Sequence, residues 1–398
     1  MKRAAFLAII IAVAASRPAA ADEYYREPLR IAMPEAGPRG LEALLIRPAG
    51  AQRYPLALLS HGAPTDPQER PRMTPFALYP QAIEFARRGF AALVVMRRGY
   101  GDSGGAYSEN SCCDLASFQH SAKTSSDDLR AAIAAMNCRT DVTTEGMIAV
   151  GTSAGGFASV ALTVDPPPGL AAVISFAGGR RWVIPPGKKG IRSADGENAL
   201  AGAFSMFGRT SRTPMLWVYA ANDSFFRPDL AHRMVDAFTA GGGRVQLIDA
   251  PAFGSDGHFL FSSAGSKIWT RFVDDFLREQ KLGLREPLPA PPLPALPPPA
   301  GLSEQGRVAF ADYLATGPHK AFAVSPKGAF GYWSALRLRE DAQQRALASC
   351  QKNGSGCTLY AVDNAKADIN RRPQQAGPGL RPGAPASRPR GRRVRRSP

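Results

Sequence analysis

Long apolar runs are scarce in this 398-residue sequence, and their scarcity excludes a protein that crosses a membrane many times. The one pronounced run, residues 4–15, is too short to span a bilayer comfortably. It follows Lys2 and Arg3 and precedes a small-residue cleavage site at residues 19–21, so we expect a signal peptide over residues 1–21. The mature protein should then be periplasmic or secreted, without a transmembrane segment. An uncleaved anchor is the alternative.

Cysteine and histidine are also scarce, with five of each. No cysteine–histidine spacing is typical of a metal site, so we expect no bound metal. Five cysteines agree with an oxidising compartment. Cys350 and Cys357 flank a hexapeptide and are predicted to form one bridge. A second bridge would join Cys138 to either Cys112 or Cys113, and the sequence does not decide which.

Acidic residues and lysine are absent from residues 371–398, which contain nine arginines. Much of the net charge of +16 lies there and in the predicted signal. The tail is rich in proline, glycine and alanine, so we expect it to be disordered. It is a candidate for contact with anionic envelope polymers, and an inert solvated tail is the alternative. No aromatic residues interleave the arginines, so we expect no specific nucleic-acid binding.

Short apolar strands alternate with helical patterns between residues 28 and 281. This alternation predicts an α/β fold with a mostly parallel, eight-stranded sheet and helices on both faces. The predicted strands are residues 28–34, 41–48, 56–60, 91–96, 147–151, 171–176, 215–220 and 245–249. The predicted helices are residues 76–88, 123–137, 229–240 and 266–280.

A Gly-Thr-Ser-Ala-Gly motif at residues 151–155 directly follows a predicted buried strand. In a sharp turn from a strand to a helix, a serine hydroxyl is exposed beside the helix N-terminus. The flanking glycines are needed because side chains there would crowd the turn. We therefore predict that Ser153 is a nucleophile. A purely structural serine in the turn is the alternative.

An acid and a histidine follow Ser153 in the order that this kind of turn requires. Asp223 comes just after the strand at residues 215–220, and His258 lies in the loop after the last strand. Parallel sheets place their active sites at this edge. Ser153 would attack an acyl carbonyl, His258 would accept its proton, and Asp223 would orient the imidazole.

Other residues compete for these roles. The acidic rivals are Asp229, Asp249 and Asp256, of which Asp256 is close enough to His258 to favour a local role in the loop. The rival histidines are His61, His120, His232 and His319. His61 precedes a glycine turn and is expected to hold that loop by hydrogen bonding.

Two backbone N–H groups are required to stabilise a developing oxyanion. One should come from Ala154, the residue after the nucleophile. The loop after the strand at residues 56–60 should supply the other, from Ala63 or else from Gly62. Pro64 has no N–H to offer.

Together these motifs resemble the α/β-hydrolase superfamily, in particular its dienelactone hydrolase-like and prolyl-oligopeptidase-like branches. The matching segments are residues 61–64, 98–104 and 151–155, with Asp223 and His258. Dienelactone hydrolases carry a cysteine where this chain has Ser153. The resemblance implies a cofactor-independent serine hydrolase, and we expect it to cleave carboxylic esters. A peptidase or amidase on small peptides and a non-catalytic, envelope-binding protein are the alternatives.

The chain is predicted to contain several units. A hydrolase domain would span residues 22–286, with a cap insertion at residues 178–213, and would be followed by a proline-rich linker at residues 287–300. Residues 301–370 would form a small α+β module that carries the disulfide bridge. Three aromatic residues of the cap region would line an acyl pocket or merely pack together: Trp182, Phe204 and Phe207.

Overall fold

The computed structural model describes residues 24–110, 112–182, 193–283 and 285–367. The predicted signal peptide at residues 1–21 and the basic tail at residues 371–398 lie outside these ranges. No helix in the described ranges combines the length and apolarity needed to cross a membrane.

The main body is built on one sheet of eight strands, in the order β1-β2-β4-β3-β5-β6-β7-β8. Strand β2 runs antiparallel to both of its neighbours, and β4, β3 and β5 to β8 pair in parallel. The sheet therefore confirms the predicted α/β class and strand number. The strands are β1 (Tyr24–Ile31), β2 (Leu41–Pro48), β3 (Tyr54–Ser60), β4 (Ala91–Val95), β5 (Val142–Thr152), β6 (Leu170–Phe176), β7 (Met215–Ala220) and β8 (Gln246–Ala250).

Helices cover both faces of this sheet because successive strand residues point to opposite sides. In β4, Leu93 belongs to the core on one face and Val94 to the core on the other. Helices α2 to α5 contribute to the first core, and α1 and α6 to the second. These helices are α1 (Tyr79–Arg87), α2 (Leu115–Asn137), α3 (Ala154–Ala161), α4 (Ser193–Thr210), α5 (Pro228–Ala240) and α6 (Ser266–Glu279).

Helix α4 occupies much of the segment that we predicted to be a cap. Its buried residues include Leu200 and Phe204, which belong to the core that α2 and α5 share. Many positions of this segment are glycine or alanine, which weakens the helical spacing of its large apolar residues. The helix was therefore not predicted from the sequence. The described part of the segment thus covers a face of the sheet.

The C-terminal module forms its own four-stranded antiparallel sheet, in the order β10-β9-β11-β12. Its core is small, with Phe310, Tyr313 and Phe322 at its centre. The predicted bridge is present, because Cys350 in α8 is bonded to Cys357 just before β11. The elements are α7 (Glu304–Ala315), β9 (Ala321–Val324), β10 (Phe330–Trp333), α8 (Arg339–Asn353), β11 (Thr358–Val362) and β12 (Ala365–Lys366).

The prediction of a second bridge to Cys138 is wrong. Cys112 and Cys113 lie before α2, with their sulfurs 2.7 Å from each other, whereas Cys138 caps the far end of the helix and is bonded to neither. The helix has 23 residues and is therefore about 34 Å long. Disulfide geometry needs Cα atoms within about 7 Å, so this helix keeps Cys138 too far from Cys112 and Cys113 to bond with either.

The module contacts the main body through the loop between β10 and α8. Arg337 donates two hydrogen bonds to the carboxylate of Glu42, at 2.8 and 2.9 Å, and a third to the carbonyl of Met73. The Thr74 hydroxyl donates to the carbonyl of Ala335 at 2.7 Å. These contacts attach the module to strand β2 and to the loop before α1.

The turn between β5 and α3 brings backbone segments unusually close together. A Cβ atom on Gly155 would lie only 2.0 Å from the carbonyl oxygen of Ser60 at the end of β3. A Cβ atom on Gly151 would lie 2.2 Å from the carbonyl oxygen of Gly155. Neither obstacle is a flexible side chain, so the first turn of α3 can meet the sheet only if both residues are glycine.

We expect Gly155→Ala to lower the free energy of unfolding by about 3 kcal/mol, because the new methyl group must displace backbone. Gly202→Ala is the matched control. Its Cβ atom would lie 3.5 Å from Leu115 Cδ1, an ordinary contact in the middle of α4, so its stability should stay within about 1 kcal/mol of wild type. Urea denaturation measures both changes. Equal stability of the two variants would contradict this account.

Candidate active site

Ser153 lies between β5 and α3 with a backbone conformation that is rare for residues other than glycine, φ 53° and ψ −121°. Its N–H donates to the carbonyl of Phe176 at 2.9 Å. Its carbonyl accepts from the N–H groups of Phe157 at 3.0 Å and Gly179 at 3.1 Å. Such strain persists only where the surroundings hold it, and it is concentrated at functional sites.

Asp223 and His258, predicted from their places after two strands, lie in contact. His258 Nδ1 is 3.1 Å from Asp223 Oδ2 and 3.2 Å from Oδ1. The Asp223 side chain is fully buried, and its Oδ1 also accepts the N–H groups of Phe225 at 2.8 Å and Phe226 at 2.9 Å. The carboxylate is thus fixed by the backbone and in turn orients the imidazole, which leaves Nε2 for a reacting proton.

Aromatic contacts join the histidine loop to the serine turn. The Phe226 ring packs against Gly179, whose N–H binds the Ser153 carbonyl, and its centroid lies 5.7 Å from that of His258. Phe261, three residues after His258, stacks on Phe176 at a centroid distance of 4.1 Å. The loop that carries His258 and the turn that carries Ser153 therefore lie close together where β6 and β7 end.

The loop after β3 passes directly over Ser153. A Cβ atom on Gly62 would lie 3.2 Å from Ser153 Cβ and 3.8 Å from its Oγ. The neighbouring Ala63 N–H takes part in no hydrogen bond with the residues that the structure describes. Ala154 is the first residue of α3, so its N–H has no intrahelical acceptor. Both predicted oxyanion donors thus have N–H groups to offer.

His61 holds this loop rather than acting as a base. Its Nδ1 lies 2.7 Å from the Gly62 carbonyl oxygen, and its Nε2 accepts the Arg97 N–H at 3.1 Å. These partners assign the neutral tautomer with the proton on Nδ1. Burial and the charge of Arg97 lower the pKa of His61 to about 3. The imidazole therefore stays neutral, as its structural role requires.

A buried ionic cluster that the sequence did not reveal lies beneath this loop. Glu109, only 2% exposed, accepts from Arg97 Nε at 2.5 Å, from Arg180 Nη1 at 2.6 Å and from the Tyr100 hydroxyl at 2.9 Å. Burial opposes its ionisation, but the charges of Arg180 and Arg97 outweigh burial and hold the pKa of Glu109 well below its usual range. Arg97 also donates to the His61 carbonyl at 2.8 Å. Glu109 thus helps to fix the loop after β3 through Arg97.

The acidic rivals have local partners. Asp256 accepts from the N–H of Ser224 at 3.1 Å and from that of His258 at 3.0 Å, which is the expected role in the loop. Asp249 lies 2.9 Å from His232 on the surface. Asp229 pairs with Arg227.

The three aromatic residues proposed for an acyl pocket lie on the sheet face covered by α4. Phe204 is fully buried and Phe207 is 4% exposed. Both rings pack on Phe157, and Phe204 also packs on Trp217 of β7. Trp182 packs against the first turn of α4. These contacts fit the packing alternative for Phe204 and Phe207.

We expect His61→Asn to reduce the loss of stability in acid. As the pH falls from about 6.5 towards 3, the unfolded chain binds a proton at His61 that the native state cannot bind. Wild-type stability should therefore fall by up to about 1.4 kcal/mol per pH unit from this group alone. Urea denaturation at several pH values measures the slope. The exposed His120→Asn variant should keep the wild-type slope, and equal slopes for wild type and His61→Asn would contradict the argument.

Comparison with known proteins adds a family match. Residues 37–186 match the S15 family of X-Pro dipeptidyl-peptidases. No curated protein matches the chain in sequence. Esterase 2 of Thermogutta terrifontis with bound butyrate is similar at a TM-score of 0.47 and 17% identity, covering 65% of this chain and 95% of that one. Pyrococcus horikoshii acylaminoacyl peptidase is similar at a TM-score of 0.47 and 14% identity, covering 67% and 43%.

The order of strands in the main sheet agrees with the resemblance seen in the sequence, and so does the serine turn between β5 and α3. The family match spans that turn and the loop after β3. The described main body therefore has the α/β-hydrolase type of fold, and the match to the S15 family covers residues 37–186, less than half of the chain.

Proposed function

We propose that this protein is a serine hydrolase that cleaves carboxylic esters through an acyl-enzyme on Ser153. The observation that carries the proposal is the contact between the buried Asp223 carboxylate and His258 Nδ1, at the sheet edge where Ser153 occupies its strained turn. A structural serine turn has no need of a histidine oriented by a buried carboxylate.

In the proposed mechanism, Ser153 Oγ attacks the ester carbonyl and His258 Nε2 accepts the hydroxyl proton. The N–H groups of Ala154 and Ala63 stabilise the oxyanion of the tetrahedral intermediate. His258 then gives its proton to the leaving alkoxide. Water, activated by the same imidazole, releases the acid and restores Ser153. Asp223 stabilises the imidazolium in both steps.

Peptide cleavage is the second candidate, and the match to a peptidase family favours it. An amine leaves only after protonation, whereas an alkoxide or phenolate needs less help from a general acid. Ester cleavage therefore demands less of the same residues. We also propose that the protein is exported, on the signal-like segment at residues 1–21.

We expect turnover of p-nitrophenyl esters, with a preference for one acyl length that reports the size of the pocket. Ser153→Ala should lower kcat by about 10⁴-fold or more, because the nucleophile is lost. Ser159→Ala is the matched control. Its hydroxyl is buried in α3 without a hydrogen-bond partner among the described residues, so activity should persist.

An X-Pro p-nitroanilide tested beside the esters separates the two activities. Faster cleavage of the anilide, lost in Ser153→Ala, would replace the esterase proposal with the peptidase. If the folded protein turns over neither substrate, the non-catalytic alternative is favoured.

A further inference from the structure

Two adjacent cysteines lie side by side in the segment that leads into α2. The Sγ atoms of Cys112 and Cys113 are 2.7 Å apart, well inside the distance at which unbonded sulfur atoms normally pack. Adjacent side chains point in different directions in helices and strands, so adjacency in sequence alone does not bring two sulfurs together. Both residues are only partly buried, so small reagents can reach them. The local backbone therefore prepares the two thiols to react with each other.

Hydrogen bonds from α2 hold this segment in place. The Cys112 N–H donates to the Ser117 hydroxyl at 3.1 Å, and that hydroxyl donates to the Cys112 carbonyl at 2.8 Å. Asp114 directly follows the pair and is the N-cap of α2, where it accepts the Ser117 N–H at 2.8 Å. The pair is therefore fixed at the start of a long helix.

We propose that Cys112 and Cys113 are a modification site at which a reversible disulfide forms between neighbouring residues. The oxidant is a disulfide-containing molecule, such as oxidised glutathione. One cysteine thiolate attacks the oxidant's disulfide and releases one thiol, and the other cysteine then attacks the mixed disulfide and releases the second. The pair loses two electrons and two protons, and the oxidant gains them as two thiols.

The geometry of neighbouring residues should make this bond easy to reduce. Cα atoms joined by a trans peptide are about 3.8 Å apart, whereas disulfides usually join Cα atoms about 4.4–6.8 Å apart. A disulfide between neighbours is therefore strained. Strained disulfides have more oxidising potentials than structural ones and are the labile or regulatory ones. The pair thus suits a bond that opens and closes rather than a permanent cross-link.

The segment before the pair carries Glu109, three residues before Cys112. The Glu109 carboxylate binds Arg97, which holds the loop after β3. The Glu109 carbonyl accepts from the Ser121 hydroxyl of α2 at 3.5 Å. Glu109 and Cys112 are thus both attached to the N-terminal part of one helix, and a ring at residues 112–113 stiffens the junction between them. The redox state of the pair is in this way coupled to the loop after β3.

Mass spectrometry of the folded protein tests the modification site. The protein is equilibrated in glutathione buffers of rising oxidised fraction, trapped with N-ethylmaleimide and digested with trypsin. The tryptic peptide of residues 99–123 contains both cysteines of the pair and no other cysteine. We expect the doubly alkylated peptide to give way to one without alkyl groups that is lighter than the dithiol form by two hydrogen atoms. Dithiothreitol should reverse the change.

Two variants and a denaturant serve as controls. Cys138→Ser removes the exposed cysteine at the far end of α2 and should behave as wild type. Cys113→Ser cannot close the ring, so its peptide should carry one glutathione or one alkyl group. Wild type unfolded in urea should need about tenfold more oxidised glutathione, because the fold no longer holds the two sulfurs together.

Amide hydrogen exchange measures the coupling to Glu109. We expect residues 105–110 to exchange at least about threefold more slowly in the oxidised than in the reduced wild type, because the ring stiffens the junction. Cys113→Ser should show no difference between the two buffers.

Each outcome decides one part of the proposal. Two glutathione adducts on the peptide, a cross-link to the peptide of Cys138, or no oxidation at any buffer ratio would overturn the modification site. Equally easy ring closure in urea would overturn the role of the fold in positioning the pair. A disulfide without a change in exchange would overturn the coupling to Glu109 and leave the site standing. None of these readouts depends on turnover, so the hydrolase proposal is tested separately.

Discussion

The positive-φ backbone conformation of Ser153 is the constraint on which the rest of the site depends. A serine reaches φ 53° only at a cost in free energy, which its hydrogen bonds to the end of β6 and to the loop after it offset. The same turn requires glycine at positions 151 and 155, because α3 must pass within contact distance of β3. This turn places Ser153 at the sheet edge where the loops after β3, β6, β7 and β8 converge.

Electrostatics fixes the loops that surround this turn. Glu109 remains ionised in a buried place because two guanidiniums bind it, and each of them belongs to a different loop. Arg97 holds the segment over Ser153, and Arg180 follows Gly179, whose N–H binds the Ser153 carbonyl. One carboxylate thereby couples both sides of the site. The cost of burying three charges is offset by these two ion pairs.

Sequence reasoning proposed Ser153, Asp223 and His258 because each lies in a turn or loop after a strand, and parallel strands end at a common edge. It did not find Glu109, since its partners lie 12 and 71 residues away along the chain and no periodic pattern connects them. Helix α4 was missed because small residues weaken its apolar period. The second bridge was predicted from the number of cysteines alone, without the length of α2, which keeps Cys138 away from the other thiols.

The most direct test of a serine nucleophile activated by His258 is the rate and position of fluorophosphonate attachment, read by peptide mass spectrometry in wild type and His258→Ala. The account predicts one adduct, on Ser153, and a rate at least about a hundredfold lower when the imidazole is absent. An adduct on another residue, or attachment to Ser153 at the same rate in both proteins, would contradict it.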